Sequence, residues 1–191
     1  MNRSRSRSRV REDYRQHTIV AAWHEGKYKG RITIDQVVVH NTEGSDIPDV
    51  IERSRKFIDE KIEVEARRAG TTPDEARVLE GMRTILPKLH DGQLAMLKAH
   101  YHAEGQEITT TELADAAGYA NYSSANLHYG IIGKLLYELA PIKLPEYDDG
   151  SSPIYTFYLA EAAAESDNES NWKWKLRPEV SKAIKELGLD A

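Results

Sequence analysis

The sequence predicts an α+β protein of two modules, and three observations carry that prediction. Residues 17–40 form short β-branched runs separated by turn residues, and a helical apolar repeat follows them. Residues 108–140, ITTTELADAAGYANYSSANLHYGIIGKLLYELA, read as two helices joined by a tight turn. Two aromatic, strand-like runs lie beyond Pro141. Together they predict an N-terminal three-stranded antiparallel sheet with a covering helix, then a C-terminal winged helix-turn-helix.

Residues 1–16, MNRSRSRSRVREDYRQ, hold six Arg against Glu12 and Asp13, a net charge of +4, with too little apolar content to fold alone. They are expected to be a basic arm that sets Arg3, Arg5, Arg7 and Arg9 on phosphates or in a minor groove, or else a solubilising tail. Residues 17–70 are expected to form a βββα domain. Its strands are HTIVAAWH, YKGRITI and QVVVH, with a turn at Glu25-Gly26-Lys27 and a break near Asp35. A helix from about Ile47, capped by Ser45 or Asp46, repeats Ile47, Val50, Ile51, Phe57, Ile58 and Ile62 along one side, which would lie across the sheet. Lys27, Lys29 and Arg31 alternate along the middle strand and are placed to face a nucleic acid. The other reading is a dimerisation or partner-docking domain.

Gly70-Thr71-Thr72 is the expected hinge. Residues 71–90 hold a connecting helix opened by the capping box Thr72-Pro73-Asp74-Glu75, marked by Ala76, Leu79, Met82 and Leu86, and ended at Pro87. Residues 91–191 are assigned to the winged helix-turn-helix domain. Asp91 should cap its first helix, which buries Leu94, Leu97 and Tyr101 and stops at Gly105. Thr109 and Glu112 make a capping box for a short helix that Gly118 ends in the left-handed conformation.

The chain then crosses Tyr119-Ala120-Asn121 into a long helix stopped by Pro141. At about 100° per residue, Leu127, Ile131, Ile132, Leu135, Leu136 and Leu139 share an apolar sector that includes His128. Tyr122, Asn126, Gly130, Gly133 and Tyr137 lie opposite, flanked by Ser123, Tyr129 and Lys134. Residues 154–160 and 171–177 are the expected strands of the wing, with the polar linker 161–170 between them. Trp172, Trp174 and Leu176 alternate with Lys173, Lys175 and Arg177, so one side is apolar and the other cationic. A last helix over 178–187 is capped by Gly188.

The run ELADAAGYANYSSANLHYGIIGKLLYEL, an aromatic strand, and then WKWKLRPEVSKAIKELG resemble a winged-helix module of bacterial and phage proteins, in some of which it is appended to HNH-type restriction endonucleases. The resemblance spans roughly the last 90 residues and consists of the helix, turn glycine, NY and YG dipeptides and terminal RPE-V helix. No HNH motif occurs, so it implies nucleic-acid handling without implying cleavage.

The expected ligand is double-stranded DNA. On the open face of the long helix, Asn126 is placed to pair with an adenine edge, Tyr122, Ser123 and Tyr129 to meet bases or phosphates, and Gly130 and Gly133 to allow close approach. Lys134, Lys173, Lys175, Arg177 and the arm would hold phosphates. Alternatively this face packs on another helix, within the chain or across a homodimer.

Residues 91–191 hold 8 basic and 16 acidic residues, a net charge of -8 that opposes general polyanion binding. That balance motivates an alternative, an acidic protein-interaction module that docks on and inhibits a DNA-targeting defence complex. Arg-Ser repeats and exposed aromatics suit a third reading, RNA.

Cysteine is absent, excluding disulfides and thiolate metal sites. There is no run of 18 apolar residues and no signal-peptide pattern, so no membrane partner and a cytoplasmic location are expected. No P-loop, Rossmann glycine pattern, nucleophile elbow or HExxH motif occurs. No enzymatic activity, cofactor or metal is expected, and His90, His100, His102 and Glu104 are read as surface residues.

Overall fold

The computed structural model describes residues 9–163 and 172–190. The chain divides into two compact units, Met1–Glu65 and Ala66–Ala191. In the first, strands β1 (Val10–Tyr14), β2 (His17–His24), β3 (Lys27–Ile34) and β4 (Val37–Gly44) make an antiparallel sheet in sequence order. The expected three-stranded sheet therefore has four strands, because Val10–Tyr14, assigned to the arm, pairs with β2 from Val10 opposite Ala21 to Tyr14 opposite His17. Apolar periodicity could not reveal β1, whose attachment is polar. Arg55 donates to both Glu12 oxygens at 2.7 and 2.8 Å, the Tyr14 hydroxyl donates to Asp59 at 3.1 Å, and Arg15 lies 3.0 Å from Asp59.

Helix α1 (Ile47–Arg68) covers one face of this sheet. Asp46 caps it, accepting from the Asp49 amide at 2.8 Å. Val50, Ile51, Ile58 and Ile62 are buried with Ile19, Ala21 and Ile32 of the strands, and Phe57 stacks on His40 at 3.8 Å. Gly30 sets how close α1 can come, since a Cβ there would meet Val50 Cγ1 at 2.5 Å and Thr42 Oγ1 at 2.3 Å. The buried Ser54 hydroxyl donates to the Val50 carbonyl at 2.7 Å and accepts from Thr42 at 2.8 Å, leaving neither hydroxyl unsatisfied.

The second unit contains α2 (Glu75–Ile85), α3 (Asp91–His102), β5 (Glu107–Thr109), α4 (Thr110–Ala117), α5 (Tyr122–Leu139), α6 (Thr156–Leu159), β6 (Ala160–Ala162), β7 (Lys173–Leu176) and α7 (Pro178–Glu186). Its core joins Val78, Met82, Ile85, Met96, Leu97, Leu113, Ile132, Leu136, Tyr158, Leu159, Val180 and Ile184. The strands form a small antiparallel sheet in the order β5-β7-β6.

Two caps differ from expectation. Asp74, not Thr72, caps α2 by accepting from the Arg77 amide at 3.0 Å. His90, not Asp91, caps α3 in a capping box with Gln93. The buried side of α3 is also not the expected one, being Gln93, Met96, Leu97 and His100, with Leu94 and Tyr101 half-buried.

The expected winged helix is not shown. Most of residues 154–160, assigned to the first strand of a wing, is instead α6, and only Ala160–Ala162 pairs with β7. Tyr158 explains the change, since its ring is fully buried and its hydroxyl donates to the Ala140 carbonyl at 3.0 Å. A helical turn lets Tyr155, Thr156 and Tyr158 address α5 and its end together, which an extended strand with alternating faces could not. Most of the expected linker, from residue 164, lies outside the described residues.

Candidate nucleic-acid interface

Local chemistry fixes α4, its turn and α5. Thr109 Oγ1 accepts from the Glu112 amide at 3.2 Å, and the Glu112 carboxylate accepts from the Thr109 amide and hydroxyl, each at 2.8 Å. Those bonds, the backbone one foremost, hold Glu112 below its ordinary carboxylate pKa. Gly118 ends α4 at φ 69°, and the Tyr119 amide reaches back to the Ala114 carbonyl at 2.9 Å. Asn121 caps α5, accepting from the Ser124 amide at 2.9 Å.

The back of α5 is anchored by a buried polar chain. Tyr129 donates its hydroxyl proton to His100 Nδ1 at 2.6 Å, and His100 Nε2 donates to the carbonyls of Trp174 at 2.9 Å and Gln106 at 3.1 Å. With two carbonyl acceptors at Nε2, the proton must sit there, so the ring is neutral. Burial pushes the His100 pKa down to about 4, opposed by those carbonyl bonds. His100, expected on the surface, is thus a core residue joining α3, α5 and β7.

The front of α5 is open. Tyr122 is 60% exposed, Ser123, Asn126 and Lys134 are also exposed, and Gly130 is half-exposed among them. Spaced along one side of the first three and a half turns, they form a continuous strip. Leu127, expected in the core, is 63% exposed at its edge. Conversely, Tyr129, Gly133 and Tyr137 are buried and are removed from the candidate site. Tyr129 moves inward because His100 satisfies its hydroxyl. Gly133 is small because the Tyr155 carbonyl approaches it, so that a Cβ would lie 2.0 Å from that oxygen.

Beside the strip, His128 is half-buried and stacks on Tyr119, with ring centroids 4.9 Å apart. His90 Nδ1 accepts from the Gln93 amide at 3.4 Å, so its Nε2 carries the proton and donates to His128 Nδ1 at 3.2 Å. The cap of α3 is therefore tied to the flank of the strip. His90 was the only signal for this contact in the sequence, since a histidine three residues before Gln93 fits a capping box read with an unusual cap.

Four of the cations expected on phosphates, Arg177, Lys175, Lys27 and Lys29, have acidic protein partners. Arg177 is only 6% exposed, pairs with Glu161 at 2.7 Å and donates from Nε to the Phe157 carbonyl at 2.9 Å, so it is a structural residue. Lys175 lies 3.2 Å from Glu107, while Lys173 is exposed at a surface depression lined by His102, Glu104, Glu107 and Glu112. On the sheet of the first unit, Lys27 pairs with Glu43 at 2.9 Å and Lys29 with Glu25 at 3.1 Å, whereas Arg31 is exposed and makes no ion pair among the described residues. Arg9 is exposed, and Arg3, Arg5 and Arg7 lie outside the described residues.

Among the described residues, no group of three or more His, Asp or Glu is placed to hold a metal ion, and no helix is long and apolar enough to cross a membrane. Compared with family models, with curated proteins and with solved structures, the chain finds no match in any of the three.

Proposed function

We propose that the protein is a cytoplasmic, non-enzymatic binder of double-stranded DNA, which it reads through the exposed strip of α5. The observation that carries this reading is the strip itself: Tyr122, Ser123, Asn126 and Lys134 project around the bare Gly130 from a helix whose back is locked into a core. A major groove accepts a helix of this size, and a carboxamide such as that of Asn126 matches the donor and acceptor on an adenine edge. Lys134 and the N-terminal arginines supply cations for phosphate.

The test begins with selection of a preferred duplex from a random library, followed by fluorescence anisotropy on that duplex and on a scrambled one. Asn126→Ala is expected to lose about 1–3 kcal/mol on the selected duplex and little on the scrambled one. Equal losses on both would remove Asn126 as a base reader.

One observation favours a second reading. Leu127 and Tyr122 are the most exposed large apolar side chains of α5, and residues 91–191 carry a net charge of -8. An apolar tip on an acidic body suits docking onto a basic protein partner. Duplex binding that survives removal of residues 1–8 and loses its preference for the selected duplex in Asn126→Ala would sink this alternative.

A further inference from the structure

The face of the four-stranded sheet turned away from α1 carries a charge pattern that emerges only from the strand register. One row crosses all four strands: Arg11 opposite Val20, Val20 opposite Arg31, and Arg31 opposite Asn41. In the next row Ala22 faces Lys29, and beyond it His24 faces Lys27. Arg9 is exposed and immediately precedes β1, and the alternation of that strand, continued by one residue, would set it on the same side as Arg11. Between these two lines of cations, β2 contributes Thr18, Val20 and Ala22, which are short, neutral and half-buried, and the exposed His24 at its end. The result is two cationic ridges, two strand spacings or about 10 Å apart, flanking a low floor.

This face also carries Asp13 and Glu43, with Glu25 in the adjoining turn. The pairs they make, Arg11 with Asp13 at 3.7 Å, Lys27 with Glu43 and Lys29 with Glu25, are exposed contacts that exchange readily for stronger ones. Arg9 and Arg31 make no ion pair among the described residues.

We propose that the outer face of this sheet is a second, sequence-independent DNA surface, whose cationic ridges contact the two phosphate strands bordering a groove. A major groove about 12 Å wide admits a β-ribbon, and long Arg and Lys side chains on ridges spaced as these are reach the phosphates on either side. Asn41 and the floor of β2 then face the groove. The choice of a duplex rests on the reading of α5, whereas the charge pattern asks only for a phosphodiester backbone.

The full chain would be titrated by fluorescence anisotropy with a mixed-sequence 20-base-pair duplex across a salt series. The double variant Arg9→Gln/Arg31→Gln removes two exposed side chains without unpairing an acid, and Lys56→Gln on α1, an exposed cation in no closer ion pair than a 3.8 Å contact with Glu60, serves as a cation control. Expected is a loss of roughly tenfold in affinity and a salt-dependence slope lower by about two in the double variant, with the control unchanged. A slope unchanged in the double variant, or lowered equally in the control, overturns the proposal. If the slope falls while Asn126→Ala keeps full affinity for a selected duplex, the sheet surface stands and the reading of α5 fails.

Discussion

At the level of single residues, His100 couples the second unit to pH. Unfolded, its ring titrates near the ordinary 6.5, but in the fold it resists protonation until about pH 4. A depressed native pKa means that its contribution is complete above 6.5 and is lost as pH falls from there to 4, because the unfolded chain gains the proton first. The loss should amount to about 3 kcal/mol. Urea unfolding at pH 7, 5.5 and 4.5 checks this, and a His100→Gln variant, though less stable at pH 7, should lack this part of the acid dependence. Identical pH slopes for the two chains would exclude His100 as the source.

Two glycines of α5 make an opposed pair of predictions. At Gly133 a methyl group would strike the Tyr155 carbonyl at 2.0 Å, so Gly133→Ala should destabilise by about 3 kcal/mol, overriding the helix-propensity gain. At Gly130 the nearest atom is Thr156 Oγ1 at 3.7 Å, an ordinary contact, so Gly130→Ala should stabilise by about 1 kcal/mol. Thermal denaturation distinguishes them by sign.

At the level of elements, the three hairpins of the first unit turn through Arg15-Gln16, Glu25-Gly26 and Asp35-Gln36, all with positive φ. Such two-residue turns match the twist of the strands they join and favour glycine in second place. Only the middle hairpin has it. Converting the third with Gln36→Gly, where φ is 68°, should stabilise by about 1 kcal/mol in chemical denaturation, and a decrease would show that the Gln36 side chain contributes more than its backbone loses.

These elements also show what a sequence can reveal. The Thr109 and Glu112 box, Gly118, and strands β2 to β4 were legible because each is specified by neighbours within a few residues. Strand β1 was not, because its partners Arg55 and Asp59 are 43 and 45 positions away from Glu12 and Tyr14. The strip on α5 was half legible. A helical wheel ranks side chains by polarity, so it placed Tyr122, Ser123, Asn126 and Lys134 outside, but it could not foresee that His100 would draw Tyr129 inward or that the Tyr155 backbone would claim Gly133. Arg177 misled for the same reason, since alternation along β7 gives its side but not the Glu161 carboxylate and Phe157 carbonyl that hold it.

At the level of the whole molecule, charge is divided between the units. Residues 1–65 hold 13 basic and 12 acidic residues, and residues 66–191 hold 13 and 19, so the net charges are +1 and -6. Under the proposed DNA-binding reading, nonspecific attraction is expected to reside in the first unit and selectivity in the second. The connectivity of the two sheets has a kinetic consequence. Every pairing in the first links strands joined by two residues, whereas Glu107 of β5 must find Lys175 of β7 across 68 positions. Local pairings close quickly and distant ones slowly. Trp23 alone reports on the first unit, so in stopped-flow refolding of a Trp172→Phe/Trp174→Phe chain its fluorescence should recover at least about tenfold faster than far-ultraviolet ellipticity, which the helices of the second unit dominate. A single shared rate would rule out this order. On a ribosome, the same order means that a growing chain acquires its cationic sheet while α5 is still unmade, so under the proposed roles attraction to nucleic acid would precede discrimination in the life of each molecule.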